Sequence, residues 1–128
     1  SKPIVIADTQ DNPGAGGDSD TTGMLRALVR NNPRKAAIGV IYDPASAKAA
    51  HAAGEGATVT LALGGKSGIP GDAPYEATFI VEKLSDGKFV APGPYYGGRD
   101  MDMGPAACLL AAGMLEADPG DGLWLVGE

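Results

Sequence analysis

The chain has 128 residues, which is enough for one domain with a hydrophobic core and too few for two ordinary domains. Ten basic residues stand against sixteen acidic ones, and the net charge of −6 disfavours binding to the phosphate backbone of nucleic acids. No stretch approaches the ~20 apolar residues of a transmembrane helix, so a membrane span is excluded. With one cysteine and one histidine, the sequence excludes an internal disulfide and a histidine-rich metal site.

The first half of the chain predicts an alternation of strands and helices. Apolar, β-branched runs predict three strands, over residues 3–9, 36–42 and 57–63, and the first is expected to be buried on both faces. Helical patterns separate them, over residues 21–31 and from residue 44 to a stop at residue 54. This order of elements implies a parallel sheet with right-handed crossovers.

Local signals place the ends of both helices. Asp20 or Thr21 is expected to be the N-cap of the first helix. Asp43 followed by Pro44 suits the start of the second, because proline is favoured at the first helical position. Gly54 is a good C-terminal stop for that helix.

The second half is predicted to be rich in β-structure. Residues 75–84 alternate like a strand, and the turn over residues 85–88 predicts a hairpin into the next strand. A later apolar run around Cys108 predicts another strand, and a turn over residues 118–122 leads to a final one. We therefore predict a single α/β domain with a parallel strand–helix–strand first half and a β-rich hairpin second half. Since the domain finishes on a bare strand, we expect residues 1–128 to be part of a longer protein.

A loop rich in glycine and aspartate is the strongest candidate for a functional site. It follows the first predicted strand, and ligands of parallel α/β sheets bind outside the carboxyl ends of the strands. The loop also contains the acceptor Asp18, and its candidate binding residues are Asp8, Asp11, Asn12, Gly14, Gly16, Gly17 and Asp20. Free backbone amides over residues 14–17 would cradle an anion, whereas the aspartates favour a cation, an amine or a metal-bound ligand. In the structural alternative, Asp8 and Asp20 cap the turn and the helix, and the glycines satisfy tight geometry.

Two further loops carry candidate residues. Lys66 lies in a GGKSG sequence that fails the phosphate-loop pattern, because Thr60 stands where a glycine is needed. Lys66 is either a contributor to a site shared with the first loop or a solvated loop lysine. Arg99 follows Tyr95 and Tyr96; it would clamp a substrate carboxylate, or pair with a neighbouring aspartate on the surface.

The single histidine and the single cysteine are expected to be structural. His51 lies on an alanine-rich helix without a partner histidine or cysteine nearby. Cys108 lies in an apolar run, which favours a buried structural thiol. Neither residue has the neighbours that nucleophilic catalysis needs.

Four stretches carry a family resemblance, in the order IVIADTQDNPGAGGDSDTTGMLRAL, IYDPASAKAAHAAGEGATVTLALGGKSG, LSDGKF and GPYYGGRDMDMGPAACLL. Together they strongly resemble the C-terminal domain of the microcystinase C (MlrC-like) metallopeptidases. The resemblance covers most of the chain, and the motif over residues 7–20 is its most specific part.

The resemblance implies a zinc-dependent hydrolase that acts on small or linearised peptides. It also implies that the zinc ligands belong to a preceding N-terminal domain, so that no metal ligand is assigned to this chain. The C-terminal domain would supply the facing wall of the cleft. On this basis Asp8, Asp11 and Asn12 are expected to hold substrate or orient metal-bound groups.

The same hypothesis gives the remaining residues supporting roles. The glycines over residues 14–17 allow close backbone approach, Asp20 caps the helix, and Lys66 and Arg99 contact a substrate carboxylate. The expected partners are the N-terminal domain and a small peptide, with a homo-oligomer possible, in the cytoplasm. Two alternatives stay open: a stand-alone module that binds a small ligand, and a structural or dimerisation domain without catalysis.

Overall fold

A computed structural model describes residues 3–33 and 35–111 and the backbone of residues 123–126. The helices are α1 (Gly23–Asn31) and α2 (Pro44–Ala53), and a 3-10 turn covers Pro13–Ala15. The strands are β1 (Ile38–Tyr42), β2 (Thr58–Leu63), β3 (Tyr75–Ser85), β4 (Lys88–Val90), β5 (Asp100–Asp102), β6 (Ala106–Ala111) and β7 (Leu123–Val126). The turn predicted over residues 118–122 lies outside the described residues. Neither described helix is long and apolar enough to cross a membrane.

The end signals of α2 are confirmed. The side chain of Asp43 accepts a hydrogen bond from the Ser46 amide, and Pro44 begins the helix. Gly54 follows its last turn with a φ of 87°, and its amide donates to the Ala50 carbonyl. Local signals in the sequence therefore predict both ends of this helix.

The predicted N-cap of α1 is wrong. Thr22 occupies the cap position, and its side chain makes no capping bond to the helix. Instead, Asp72 accepts hydrogen bonds from the Thr22 amide and, at 2.8 Å, from its hydroxyl. The carboxylate that satisfies this helix start comes from a loop 50 residues away, which no local pattern reveals.

The main sheet is mostly antiparallel, and the predicted parallel first half is wrong. Its strand order is β1-β7-β6-β3-β2. β2 pairs antiparallel with β3, β3 with β6 and β6 with β7, while β1 pairs parallel with β7. β1 and β2 therefore lie at opposite edges of the sheet. Periodicity identified these strands, but their partners come from later in the chain.

The strand predicted over residues 3–9 is wrong. The part from residue 3 to residue 8 has no regular secondary structure, and Ile4, Val5 and Ile6 are exposed. The prediction over residues 36–42 holds from Ile38, but Ile41 is its one buried residue. In the described sheet β1 is an edge strand, paired on one side with β7.

The hairpin predicted between β3 and β4 is also wrong. β4 pairs with β5 in a separate two-stranded sheet, while β3 pairs with β6. The turn itself forms: Asp86 accepts from the Lys88 amide, and Gly87 has a φ of 76°. A Cβ at Gly87 would collide with the backbone of Gly104, so this position requires glycine.

The core lies between the main sheet and the two helices. Phe79 and Val81 of β3, Leu63 of β2 and Leu109 of β6 are fully buried, and Leu25 of α1 joins the same cluster. Burying side chains of this size contributes about 1.5–3 kcal/mol each. This packing fixes β1 and the loop after β2, and the amides of Tyr42 and Gly65 there donate to the carbonyls of Ser19 and Asp20, which positions the candidate site.

Candidate functional site

The loop over residues 8–19, which we call the cleft loop, is shaped by its own polar side chains. Asp8 Oδ1 accepts hydrogen bonds from the amides of Gln10 (3.0 Å) and Asp11 (3.2 Å). Asn12 Oδ1 accepts from the Gly14 amide at 2.8 Å and caps the 3-10 turn. Such turns explain the preference for Asp and Asn here. For Asp8, these bonds support the structural alternative, in which its side chain caps the turn.

Asp11 holds the far end of the cleft loop in place. Its Oδ1 accepts from the Ser19 amide at 2.7 Å, and its Oδ2 accepts from the amide and the hydroxyl of Thr21, both at 2.8 Å. Burial would raise the pKa of Asp11, but the bonds from Thr21 and Ser19 outweigh it and lower the pKa below its ordinary 3.8. Asp11 is therefore a charged residue that stabilises the loop, as well as a candidate binding residue.

The backbone amides of residues 14–17 are not free, contrary to the anion-cradle hypothesis. The Ala15 and Gly17 amides donate to the Asn12 carbonyl at 2.9 Å, and the Gly16 amide donates to the Pro13 carbonyl at 3.2 Å. A Cβ at Gly17 would lie 2.8 Å from the Asn12 nitrogen. The glycines allow the loop to fold onto itself, and the amides are consumed in doing so.

Asp20 points away from the cleft loop and joins it to the loop after β2. Its Oδ2 accepts from the amides of Lys66 (2.7 Å) and Ser67 (2.8 Å), and its Oδ1 accepts from the Ser67 hydroxyl at 2.6 Å. The residue is 4% exposed. Its predicted role as a helix cap is therefore wrong, because its carboxylate is fully engaged by another loop.

Lys66 is an ion-pair partner inside the same junction. Its Nζ lies 2.7 Å and 2.6 Å from the two carboxylate oxygens of Asp43, whose side chain is fully buried. Asp43 also accepts from Ser46 Oγ at 2.7 Å and from the Gly64 amide at 2.9 Å. Burial would raise the pKa of Asp43, but the bonds from Lys66 and Ser46 lower it overall. We call Asp20, Asp43, Lys66 and Ser67 the interloop polar cluster.

Sequence reasoning missed a second junction between these loops. Asp72 binds Thr22 as described above, and Arg26 Nε donates to Thr22 Oγ1 at 3.0 Å. The guanidinium also donates to the Ala73 carbonyl at 3.1 Å and lies 5.2 Å from the centre of the Tyr75 ring. The sequence shows Asp72 only as an aspartate in a glycine- and proline-rich loop. That pattern is too common to predict that Asp72 binds Thr22.

A cleft of about 370 Å³ lies between the cleft loop and β1. Asp8, Asp11 and Asn12 form part of its polar wall. Its apolar lining includes Ile6, Met24, Ile38, Val40 and Ile41. The structure thus brings together three of the predicted site residues. Gly14, Gly16, Gly17, Asp20, Lys66 and Arg99 do not line this cleft.

Arg99 belongs to a different part of the molecule. Its carbonyl accepts from the Ala91 amide at 2.9 Å, and its own amide donates to the Tyr96 carbonyl at 3.0 Å. Tyr95 and Tyr96 are exposed and stack edge to face with ring centres 4.6 Å apart. These residues frame the connection from β4 to β5.

The described residues do not fit a zinc site. Among them, no three His, Cys, Asp or Glu side chains are grouped so that they could hold a metal ion. His51 Nε2 lies 3.0 Å from the Ala106 carbonyl. Burial, followed by the hydrogen bond and charge of Glu82, raises the pKa of the Cys108 thiol to about 12. Cys108 is therefore a protonated thiol at neutral pH, as its predicted structural role requires.

The fold and the motif of the cleft loop define a domain of a known family. A family model described as MlrC C-terminus matches residues 6–115, and the chain belongs to this family. The resemblance predicted from the sequence motifs is thereby confirmed.

Two relatives show how the domain relates to larger proteins. The chain is 30% identical over 116 residues to Microcystinase C from Sphingomonas sp, a match that covers 88% of this chain and 21% of that protein. It also matches a crystal structure from Mesorhizobium sp. BNC1, named "Putative metallopeptidase", with a TM-score of 0.72 and 28% identity. That match covers 94% of this chain and 22% of the other. The chain therefore spans about a fifth of the length of these relatives and corresponds to a C-terminal part.

Proposed function

We propose that this chain is the C-terminal domain of a zinc-dependent hydrolase that acts on small or linearised peptides, and that its cleft loop forms one wall of the substrate cleft. Family membership and the names of the two relatives support the hydrolase class. The zinc would be held by residues of the preceding domain, since the described residues here supply no grouped ligands. We also propose that the full-length protein is cytoplasmic.

The observation that carries the proposal is the mixed chemistry of the cleft. Its lining includes the carboxylates of Asp8 and Asp11 together with apolar side chains such as Met24 and Ile38. A peptide offers matching groups, namely an amino terminus or backbone N–H for the carboxylates and a side chain for the apolar wall. Asp8 would bind through Oδ2, because its Oδ1 already accepts two amides.

The test is turnover of a peptide substrate by the full-length enzyme carrying Asp8→Asn. This change removes a charge but keeps Oδ1, so the turn survives. We expect kcat/KM to fall about tenfold, the loss of a charge-assisted bond of about 1.5 kcal/mol. Asp18→Ala is the matched control, because Asp18 is an exposed aspartate of the same loop that does not line the cleft.

Asp11→Ala is expected to lower turnover further, but it also releases Ser19 and Thr21 from their carboxylate partner. It therefore tests binding and loop order together. If Asp8→Asn has the same kcat/KM as Asp18→Ala, the cleft loop does not contact substrate and the proposal is wrong.

A structural role is the second candidate, and one observation favours it. Asp8, Asp11, Asn12 and Asp20 all direct carboxylate or amide oxygens into turns or into another loop. A domain of this kind would support the catalytic part or a dimer without touching substrate. In that case Asp11→Ala would lower the free energy of unfolding while the kcat of the folded enzyme stays unchanged.

A further inference from the structure

An uncovered apolar segment precedes the cleft loop. Ile4, Val5 and Ile6 are consecutive β-branched residues that are 91%, 86% and 66% exposed. One exposed apolar side chain is ordinary, but three adjacent ones in a segment of strand-like composition mark a contact surface.

The same surface continues onto β1. Val40 and Tyr42 are two residues apart and share one face of the strand, where they are 41% and 43% exposed. Ile41 between them points into the core and is 3% exposed. Ile6 and Val40 line the same cleft, so the segment and the strand face form one continuous surface.

We infer that this surface, made of Ile4–Ile6 with Val40 and Tyr42, is the docking site for the portion of the same polypeptide that precedes this domain. Like the proposed function, the inference rests on the chain being the C-terminal part of a larger protein. About four fifths of each relative lies outside its match to this chain. The family match begins at residue 6, so the junction with the preceding portion adjoins the exposed segment.

The apolar side chains of the docking site favour a stable contact. Their burial releases water and requires no matched polar partner, which suits the interface between two domains of one chain. It would also place the preceding portion beside the cleft, because Ile6 and Val40 belong to both the cleft lining and the docking site.

The test is photo-crosslinking within the full-length protein. Benzoylphenylalanine replaces Val5 in one variant, Val40 in a second and Ile69 in a control. Ile69 is similarly exposed, at 40%, but lies on the loop after β2 and does not line the cleft. We expect positions 5 and 40 to crosslink to peptides that precede this domain in the same molecule, at a much higher yield than position 69.

Hydrogen exchange of the unmodified full-length protein gives a second measurement. The amides of residues 4–6 are expected to exchange about tenfold or more slowly than the intrinsic rate of an exposed amide. Exchange at the intrinsic rate would overturn the inference. So would crosslinks that join two separate molecules, or yields at positions 5 and 40 no higher than at position 69.

These outcomes are independent of the turnover test. If the crosslinks form as expected but Asp8→Asn leaves kcat/KM unchanged, the docking site stands and the substrate role of the cleft loop fails. If turnover falls without such crosslinks, the docking site alone is wrong.

Discussion

The cleft loop and the interloop polar cluster use the same residue type in opposite surroundings. Asp8 lies on the surface and orders a local turn through one carboxylate oxygen. Asp43 is 1% exposed and uses both oxygens to join the start of α2 to the loop after β2. The comparison shows that the same carboxylate side chain serves either a cleft or only the fold, according to whether it lines an open surface or is enclosed by another loop.

The largest effect is expected from breaking the cluster with Asp43→Ala. The change removes the acceptor for Lys66, Ser46 and the Gly64 amide at once. We expect the free energy of unfolding to fall by about 3 kcal/mol, because the Ser46 hydroxyl and the Gly64 amide are left buried without their acceptor, whereas Lys66, whose side chain is 42% exposed, gains water in its place. Urea denaturation measures this, with Asp18→Ala as the exposed control. A loss equal to that of the control would mean that the cluster does not hold the loops together.

A smaller effect is expected from acid, which protonates the carboxylates without removing them. The folded-state pKa values of Asp43 and Asp11 lie below the ordinary 3.8. Their contribution to stability is therefore complete above the unfolded pKa and is lost as the pH falls through the folded pKa. Urea denaturation should show constant stability at neutral pH and a decline below about pH 5.

The matched variant for the acid experiment is Asp43→Asn, which cannot titrate at this position. Its stability should decline less steeply with acid than that of the unaltered protein. Parallel declines would show that Asp43 does not contribute to the pH dependence.

The smallest effect on stability is expected from Asp8→Asn in the cleft loop. Oδ1 keeps both amide bonds, so the free energy of unfolding should change by no more than about 0.5 kcal/mol. Thermal or urea denaturation of the same protein used for turnover measures this. A large loss of stability would show that the charge of Asp8 stabilises the cleft loop. The cleft loop and the interloop polar cluster would then both depend on a carboxylate charge for stability.

Several elements of the fold were predictable from the sequence. α2 was predicted with its cap and stop, and β2, β3 and β6 were predicted from their apolar patterns. The mostly antiparallel arrangement of the strands was not predictable. The apolar pattern of a strand indicates which of its residues are buried, but not which strand lies beside it. β1 found its partner in β7, more than 80 residues further along the chain.

The candidate site was predictable only in part. Asp8, Asp11 and Asn12 line one cleft together, and their role in binding substrate stays a prediction. Asp20 and Lys66 come from the same kinds of loop but belong to the interloop polar cluster. Nothing in the neighbouring sequence distinguishes Asp20 from Asp11. Asp20 is buried because it binds Lys66 and Ser67, which lie 46 and 47 positions further along the chain.

The sequence by itself determined the family, the ends of α2 and the identity of the loop that carries the candidate site. These depend on residue order and on contacts within a few positions, such as a side-chain oxygen reaching an amide two or three residues away. Only the tertiary structure decided the strand order, the burial of Asp20 and Asp43 and the exposure of Ile4–Ile6. These depend on which distant surfaces meet, because desolvation and ion pairing are set by neighbours in space and not by neighbours in the chain.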